Sequence, residues 1–243
     1  MASEIRSGYV DVDGLRTYQA VPDNDGRPPT GGMLLLPMIT GIGEQVRLFA
    51  DQIARETGVV AVTWDPWHGP SSDDTEHAEL SRLLAELDDR AVVEEQERLL
   101  AHMRSALGVQ HVGVIGWCLG GRFAFILGGR DPELANVIAY HPTVTIPPAE
   151  NHSIDAIEQI RCTTAPVMMA YPGKDSIVSR ESFDRMQEAL LHRDGAPSMV
   201  HVYPDAKHGF SDARRHGEAP NAEAFNLSWP QALALIRATT VAV

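Results

Sequence analysis

Three residue types that together perform acyl chemistry stand in this chain in the order thiol, carboxylate, imidazole. Cys118 lies in Gly116-Trp117-Cys118-Leu119-Gly120-Gly121, Asp175 in Gly173-Lys174-Asp175-Ser176-Ile177-Val178, and His208 in Tyr203-Pro204-Asp205-Ala206-Lys207-His208-Gly209-Phe210. A free thiol, with a pKa of about 8.5, is mostly protonated near neutral pH and becomes a strong nucleophile once a histidine accepts its proton. A carboxylate behind that imidazole fixes its tautomer and stabilises its charged form. Each residue also has a plain reading. Free cysteine is among the most buried residue types, aspartate is favoured in turns for its local hydrogen bonds, and His208 is one of ten histidines.

What joins the three is where the chain places them. The apolar run 112–115 breaks at Gly116, presents Cys118 and restarts as a helical pattern over 119–127, closed by Gly128 and Gly129. Such a strand-turn-helix forces the residue at the turn into a strained backbone region and needs small neighbours, here Gly116, Gly120 and Gly121. Asp175 follows the apolar run 167–171, and His208 follows 199–203. Further buried strands are expected at 33–36, 59–64 and 137–140, and Asp13-Gly14 signals a hairpin between a strand holding 9–12 and one over 15–20. Helical patterns fill 44–56, 76–87, 90–107, 180–192 and 221–238, with Gly108 and Gly195 closing the third and fourth. Residues 22–30 read as a surface loop, and 142–151, with its prolines, as an irregular excursion over the sheet's edge. The alternation predicts an α/β fold with a mostly parallel central sheet and helices on both faces, so that all three residues reach one rim at the carboxyl ends of strands.

Composition narrows the function classes. With 243 residues and 44% hydrophobic content, the chain is expected to form one domain over 1–243. Its net charge of −13 disfavours nucleic acid. No run approaches the roughly 20 apolar residues that span a bilayer, so no membrane partner is expected. The start, Met1-Ala2-Ser3-Glu4-Ile5-Arg6, lacks the apolar core of a secretory signal, and the only cysteines, Cys118 and Cys162, sit in unrelated contexts. A reducing cytoplasm is the expected compartment. No HxxxH, HExxH or CxxC spacing is present, so no metal is expected.

The three motifs around Cys118, Asp175 and His208 resemble the dienelactone hydrolase family, a branch of the α/β-hydrolase superfamily with a cysteine nucleophile, and the likeness covers nearly the whole chain. The resemblance implies an α/β-hydrolase fold and a Cys-His-Asp triad of Cys118, His208 and Asp175. It also implies hydrolysis of small lactones, enol esters or related activated esters, without metal or organic cofactor. An acyl-cysteine intermediate formed this way needs donors for its oxyanion. The N–H of Leu119, at the positive end of the following helix, is one, and the N–H of Ile39, after the strand at 33–36, is the expected second.

The chain departs from that family in two places. Similar proteins carry a glutamate beside the thiol where Met38 stands here, and methionine carries no proton. Either the ion pair forms without a switch, or Glu44 substitutes, although a carboxylate at a helix start has its own electrostatic reason. The family's pair of arginines for a substrate carboxylate is also out of place. His77 stands near the first position with Arg82 one turn on, and Asp212 stands at the second, followed by Arg214 and Arg215. The substrate is then expected to be more neutral or apolar than dienelactone itself, since bidentate arginine is what reads a carboxylate.

Met38, Trp67, Arg82, His141 and Phe210 are candidate substrate contacts, with packing the alternative for Trp67 and an ordinary loop role for His68 and His141. Cys162 reads as a small buried hydrophobe. The leading expectation is hydrolysis of a small-molecule ester or lactone. Acyl transfer or thioester chemistry at the same site, and a binding protein that has lost turnover, are the alternatives.

Overall fold

The computed structural model describes residues 4–23 and 29–241, so most of the loop expected at 22–30 and the first residues of the chain lie outside the described part. Eight strands, β1 (Ile5–Val12), β2 (Leu15–Pro22), β3 (Gly31–Leu36), β4 (Val60–Trp64), β5 (His111–Trp117), β6 (Val137–Tyr140), β7 (Val167–Lys174) and β8 (Ser198–Lys207), form one sheet in the order β1-β2-β4-β3-β5-β6-β7-β8. The β1–β2 hairpin turns at Asp13 and Gly14, both at positive φ, with Val12 opposite Leu15. It joins the sheet antiparallel to β4, and every later pairing is parallel.

Among the described residues seven α-helices, α1 (Glu44–Thr57), α2 (His77–Glu86), α3 (Asp89–Ser105), α4 (Leu119–Arg130), α5 (Ala156–Cys162), α6 (Arg180–His192) and α7 (Ala219–Thr240), cover the two faces. Side chains alternate across a strand, and here both faces are apolar. On β3, Leu34 and Leu36 belong to the core on the face of α3, α4 and α6, while Met33 and Leu35 belong to the core on the face of α1 and α7. On β6, Val137 and Ala139 take the first face, and Ile138 and Tyr140 the second. This is why the central strands read as unbroken apolar runs. Among the described residues no helix is long and apolar enough to cross a membrane.

Several local expectations are corrected. Gly128 and Gly129 do not close α4 but lie within it. A side chain at Gly129 would meet Gln159 of α5 and one at Gly128 would meet Thr163, so they are contact glycines rather than caps. Helix α5, in a stretch to which the sequence reading gives no element, starts on Asp155, whose side chain accepts the N–H groups of Ile157 and Glu158. Cys162 ends that helix exposed, not buried. Strand β8 is an edge strand and correspondingly half-exposed, unlike the central strands it was grouped with.

Candidate active site

Strand β5 ends at Trp117, and Cys118 turns the chain into α4 with φ 54° and ψ −113°, outside the regions open to L-residues without strain. The turn is tight enough that a Cβ on Gly116 would strike the Gly120 carbonyl, and one on Gly120 would strike the Leu36 and Pro37 carbonyls. Gly120 N–H in turn donates to Pro37 O at 3.0 Å, locking the start of α4 to the loop after β3. Cys118 itself is held from both sides by the end of β6: its N–H donates to Tyr140 O and its carbonyl accepts from Thr143 N–H, each at 3.0 Å.

Asp175 follows β7 directly. One carboxylate oxygen accepts the N–H groups of Ile177 and Val178 at 2.8 and 2.9 Å, and the other meets His208 Nδ1 at 2.8 Å. The Asp175 side chain is fully buried and that of His208 is 8% exposed. A partner at Nδ1 leaves Nε2 as the functional nitrogen, and that atom is buried without a hydrogen-bond partner among the described residues. The sulfur meets the Thr143 hydroxyl, at 3.1 Å.

The electrostatics couple these groups. Burial pushes the Cys118 thiol up, but the charge and hydrogen bonding of His208, then the Thr143 hydroxyl and the Leu119 N–H, outweigh it and hold the thiol below its ordinary value. Burial likewise opposes charging of His208, yet the Cys118 thiolate and the Asp175 carboxylate raise it to about 10. Each shift favours the charged form of its group, a thiolate facing an imidazolium.

Around this core the expected contacts fall into different places. Met38 is buried in the apolar cluster against which Cys118 packs. The Ile39 N–H has no protein acceptor among the described residues, while the Ile39 carbonyl accepts from the Trp67 indole at 2.8 Å. Trp67 is therefore a brace for that loop, and it is buried. His141 and Phe210 are completely buried. The His141 ring stands edge-on to His208, with centroids 4.9 Å apart, and its Nε2 meets Ser211 Oγ at 2.8 Å. Burial, then the charges of His208 and Arg215, keep His141 well below the ordinary histidine value, so it stays neutral. Phe210 packs against Tyr140, His141 and Tyr203 as a wall behind the histidines.

Arg82 does not join the site. It lies exposed on α2, bridging Glu79 and Glu86 of its own helix at 2.7 and 2.6 Å. Glu44 opens α1 exposed to solvent, and Arg214 is clamped to Asp212 at 2.7 Å. Arg215 is exposed, has no ion-pair partner among the described residues, and lies beside Gly209. Two recesses of about 450 and 320 Å³ flank Thr40, the residue after Ile39, sharing Ser72, Asp73 and Arg214. His68, outside the site, pairs with Glu95 at 3.0 Å.

Thr143 and the His141–Ser211 pair were missed by sequence reasoning. Nothing in the spacing marks them, beyond the prolines that flagged 142–151 as a loop leaving the rim. A third feature had a signal: Arg122, the one charge on α4 before its last residue Arg130, is buried in a bidentate pair with Asp89 at 2.7 and 2.6 Å. A lone charge in an apolar helix requires a buried partner.

Residues 15–240 match the dienelactone hydrolase family. The chain belongs to that family. It is 30% identical over 199 residues to the carboxymethylenebutenolidase of Rhodococcus opacus, an alignment covering 81% of this chain and 77% of that one. Among solved structures, one described as "Putative Dienelactone Hydrolase from Klebsiella pneumoniae" superposes with a TM-score of 0.84 at 22% identity, covering 96% of this chain and 98% of its own. The metagenomic "Dienelactone Hydrolase-like Promiscuous Phospotriesterase P91" follows at 0.77 and 20%, covering 98% and 99%. These likenesses confirm the α/β-hydrolase fold, and membership of the dienelactone hydrolase family makes the protein a hydrolase of lactones or esters.

Proposed function

We propose that the protein hydrolyses a small, uncharged lactone or activated ester through Cys118, His208 and Asp175, by way of an acyl-cysteine. The reading rests on one observation: the His208–Asp175 hydrogen bond at 2.8 Å, formed by residues 33 apart, beside a cysteine at a strained strand-to-helix turn. The Cys118 thiolate attacks the carbonyl carbon, forming a C–S bond as the carbonyl electron pair moves to oxygen. The N–H groups of Leu119 and Ile39 receive that oxyanion. Collapse breaks the C–O bond, and the proton on His208 passes to the departing oxygen. Water, deprotonated by His208, then attacks the thioester, and the thiolate is released.

An uncharged substrate is supported by the arginines. Arg82 and Arg214 are already neutralised by carboxylates. The recesses beside Thr40 are walled by Asp73, Asp74, Glu76, Glu44 and Asp212 as well. Turnover of a panel of neutral and carboxylate-bearing lactones and esters, with wild type and Cys118→Ala, tests both parts. Activity should vanish in the variant. Activity that persists overturns the nucleophile, and a strong preference for carboxylate-bearing lactones overturns the uncharged substrate and makes Arg215 the residue to remove next.

A further inference from the structure

We propose that Thr143 anchors the resting sulfur, its hydroxyl donating to the Cys118 thiolate and setting how much of it is present and how reactive it is. The inference rests on Cys118 being the nucleophile. The placement of the hydroxyl is built by the backbone. Thr143 N–H donates to the Cys118 carbonyl at 3.0 Å, Cys118 N–H donates to Tyr140 O at 3.0 Å, and between these two bonds the hydroxyl comes to 3.1 Å from Sγ. The segment reaches that close only because Gly121 lacks a side chain. A Cβ there would stand 2.9 Å from Pro142 Cα, closer than real Cβ atoms come, and a tight 3.0 Å from Tyr140 O. Threonine, branched at Cβ, also has few rotamers with which to swing the hydroxyl away.

Thr143 shares this task with His208, which acts on the sulfur through its charge and hydrogen bonding, while the loop after β3 offers only Met38, which can donate nothing. His208 is the titratable group facing the sulfur among the described residues, with Asp175 and the neutral His141 behind it and Arg215 acting on His141. An alcohol is far too weak an acid to relay a proton, so Thr143 keeps its own throughout. Its hydrogen bond stabilises negative sulfur, with two opposed effects: more thiolate at a given pH, and a less nucleophilic one.

That opposition gives the test. Iodoacetamide alkylation of Cys118 is followed against pH in a Cys162→Ser background, since Cys162 is exposed and would react too. In Thr143→Val the midpoint should rise by about one pH unit, so that the rate at pH 6 falls roughly tenfold. Once ionisation is complete, the rate should exceed wild type by about twofold to threefold, because nucleophilicity climbs with thiol pKa. The two profiles therefore cross. Thr143→Ser should restore the wild-type curve, and Thr143→Ala replaces the valine variant if that one does not fold. A depressed wild-type profile that Thr143→Val leaves unchanged overturns the anchor alone, as does a uniform loss at every pH. A wild-type thiol that titrates as an ordinary one overturns the anchor together with the activated nucleophile beneath it.

Discussion

Asp175 accepts three hydrogen bonds with its two oxygens, and only one of them goes to His208. Replacing it by asparagine keeps the shape and removes one of the two charges that hold His208 protonated, the other being the Cys118 thiolate. The sign follows from the shifts: a raised imidazole keeps its proton up to about 10, and a lowered thiol keeps its negative charge below the ordinary value, so the ion pair exists between the two. Wild-type kcat/KM should therefore rise on the acid side as the thiolate forms and fall near pH 10 as His208 loses its proton. In Asp175→Asn the alkaline limb should move to lower pH, and kcat/KM at neutral pH should drop by roughly 10³ to 10⁴. Steady-state kinetics on an activated ester across pH 5 to about 11 reads both. At this scale residue type and order were enough to find the three groups, because each has chemistry that few other residues share. Thr143 and Ser211 were not recognisable, since threonine and serine occur everywhere, and His141, singled out as a substrate contact, takes its place beside His208 only through distance.

The elements that deliver those residues depend on backbone running against backbone. Gly120 sits where the first turn of α4 touches the carbonyls of Leu36 and Pro37, the residues just before Met38 and Ile39. Gly120→Ala should cost about 1–3 kcal/mol in urea unfolding, as overpacking does. It should also lower kcat by more than that loss of stability alone would, because the displaced loop carries the Ile39 N–H. Equal kcat in the folded variant would remove Ile39 from the reaction. Strand positions were legible because both faces of the sheet are covered, turning each central strand into a short apolar run. Helix α5 was not, since it has only seven residues, too few for a periodicity to emerge, and the glycines of α4 were read as punctuation when they serve as contact points.

Across the whole molecule, the helix that begins at Cys118 is tied to its surroundings by one buried ion pair. Arg122 and Asp89 are each 2% exposed, and both also bond the backbone of Ile154, so α3, α4 and the segment before α5 meet at one point. Burial raises the Asp89 carboxyl, but Arg122 and the Ile154 N–H outweigh it and hold it below its usual value. The stability this contributes is present above the unfolded carboxylate value of about 3.9 and is lost as pH falls through the lower folded one. Asp89→Ala should cost about 3–5 kcal/mol in urea unfolding at pH 7 by stranding the guanidinium, and the double variant Asp89→Leu/Arg122→Met should recover most of it. A double variant no better than the single one would mean that the Ile154 contacts, rather than the pair, carry the effect.

Both peptide groups flanking the sulfur are spoken for, one by the end of β6 and the other by the residue that also touches Sγ. The backbone on which the sulfur rides is therefore pinned at both ends. In the proposed attack, where two atoms must close from van der Waals contact to a bond, little of the approach comes from that backbone, which favours compact molecules whose carbonyl face is bare.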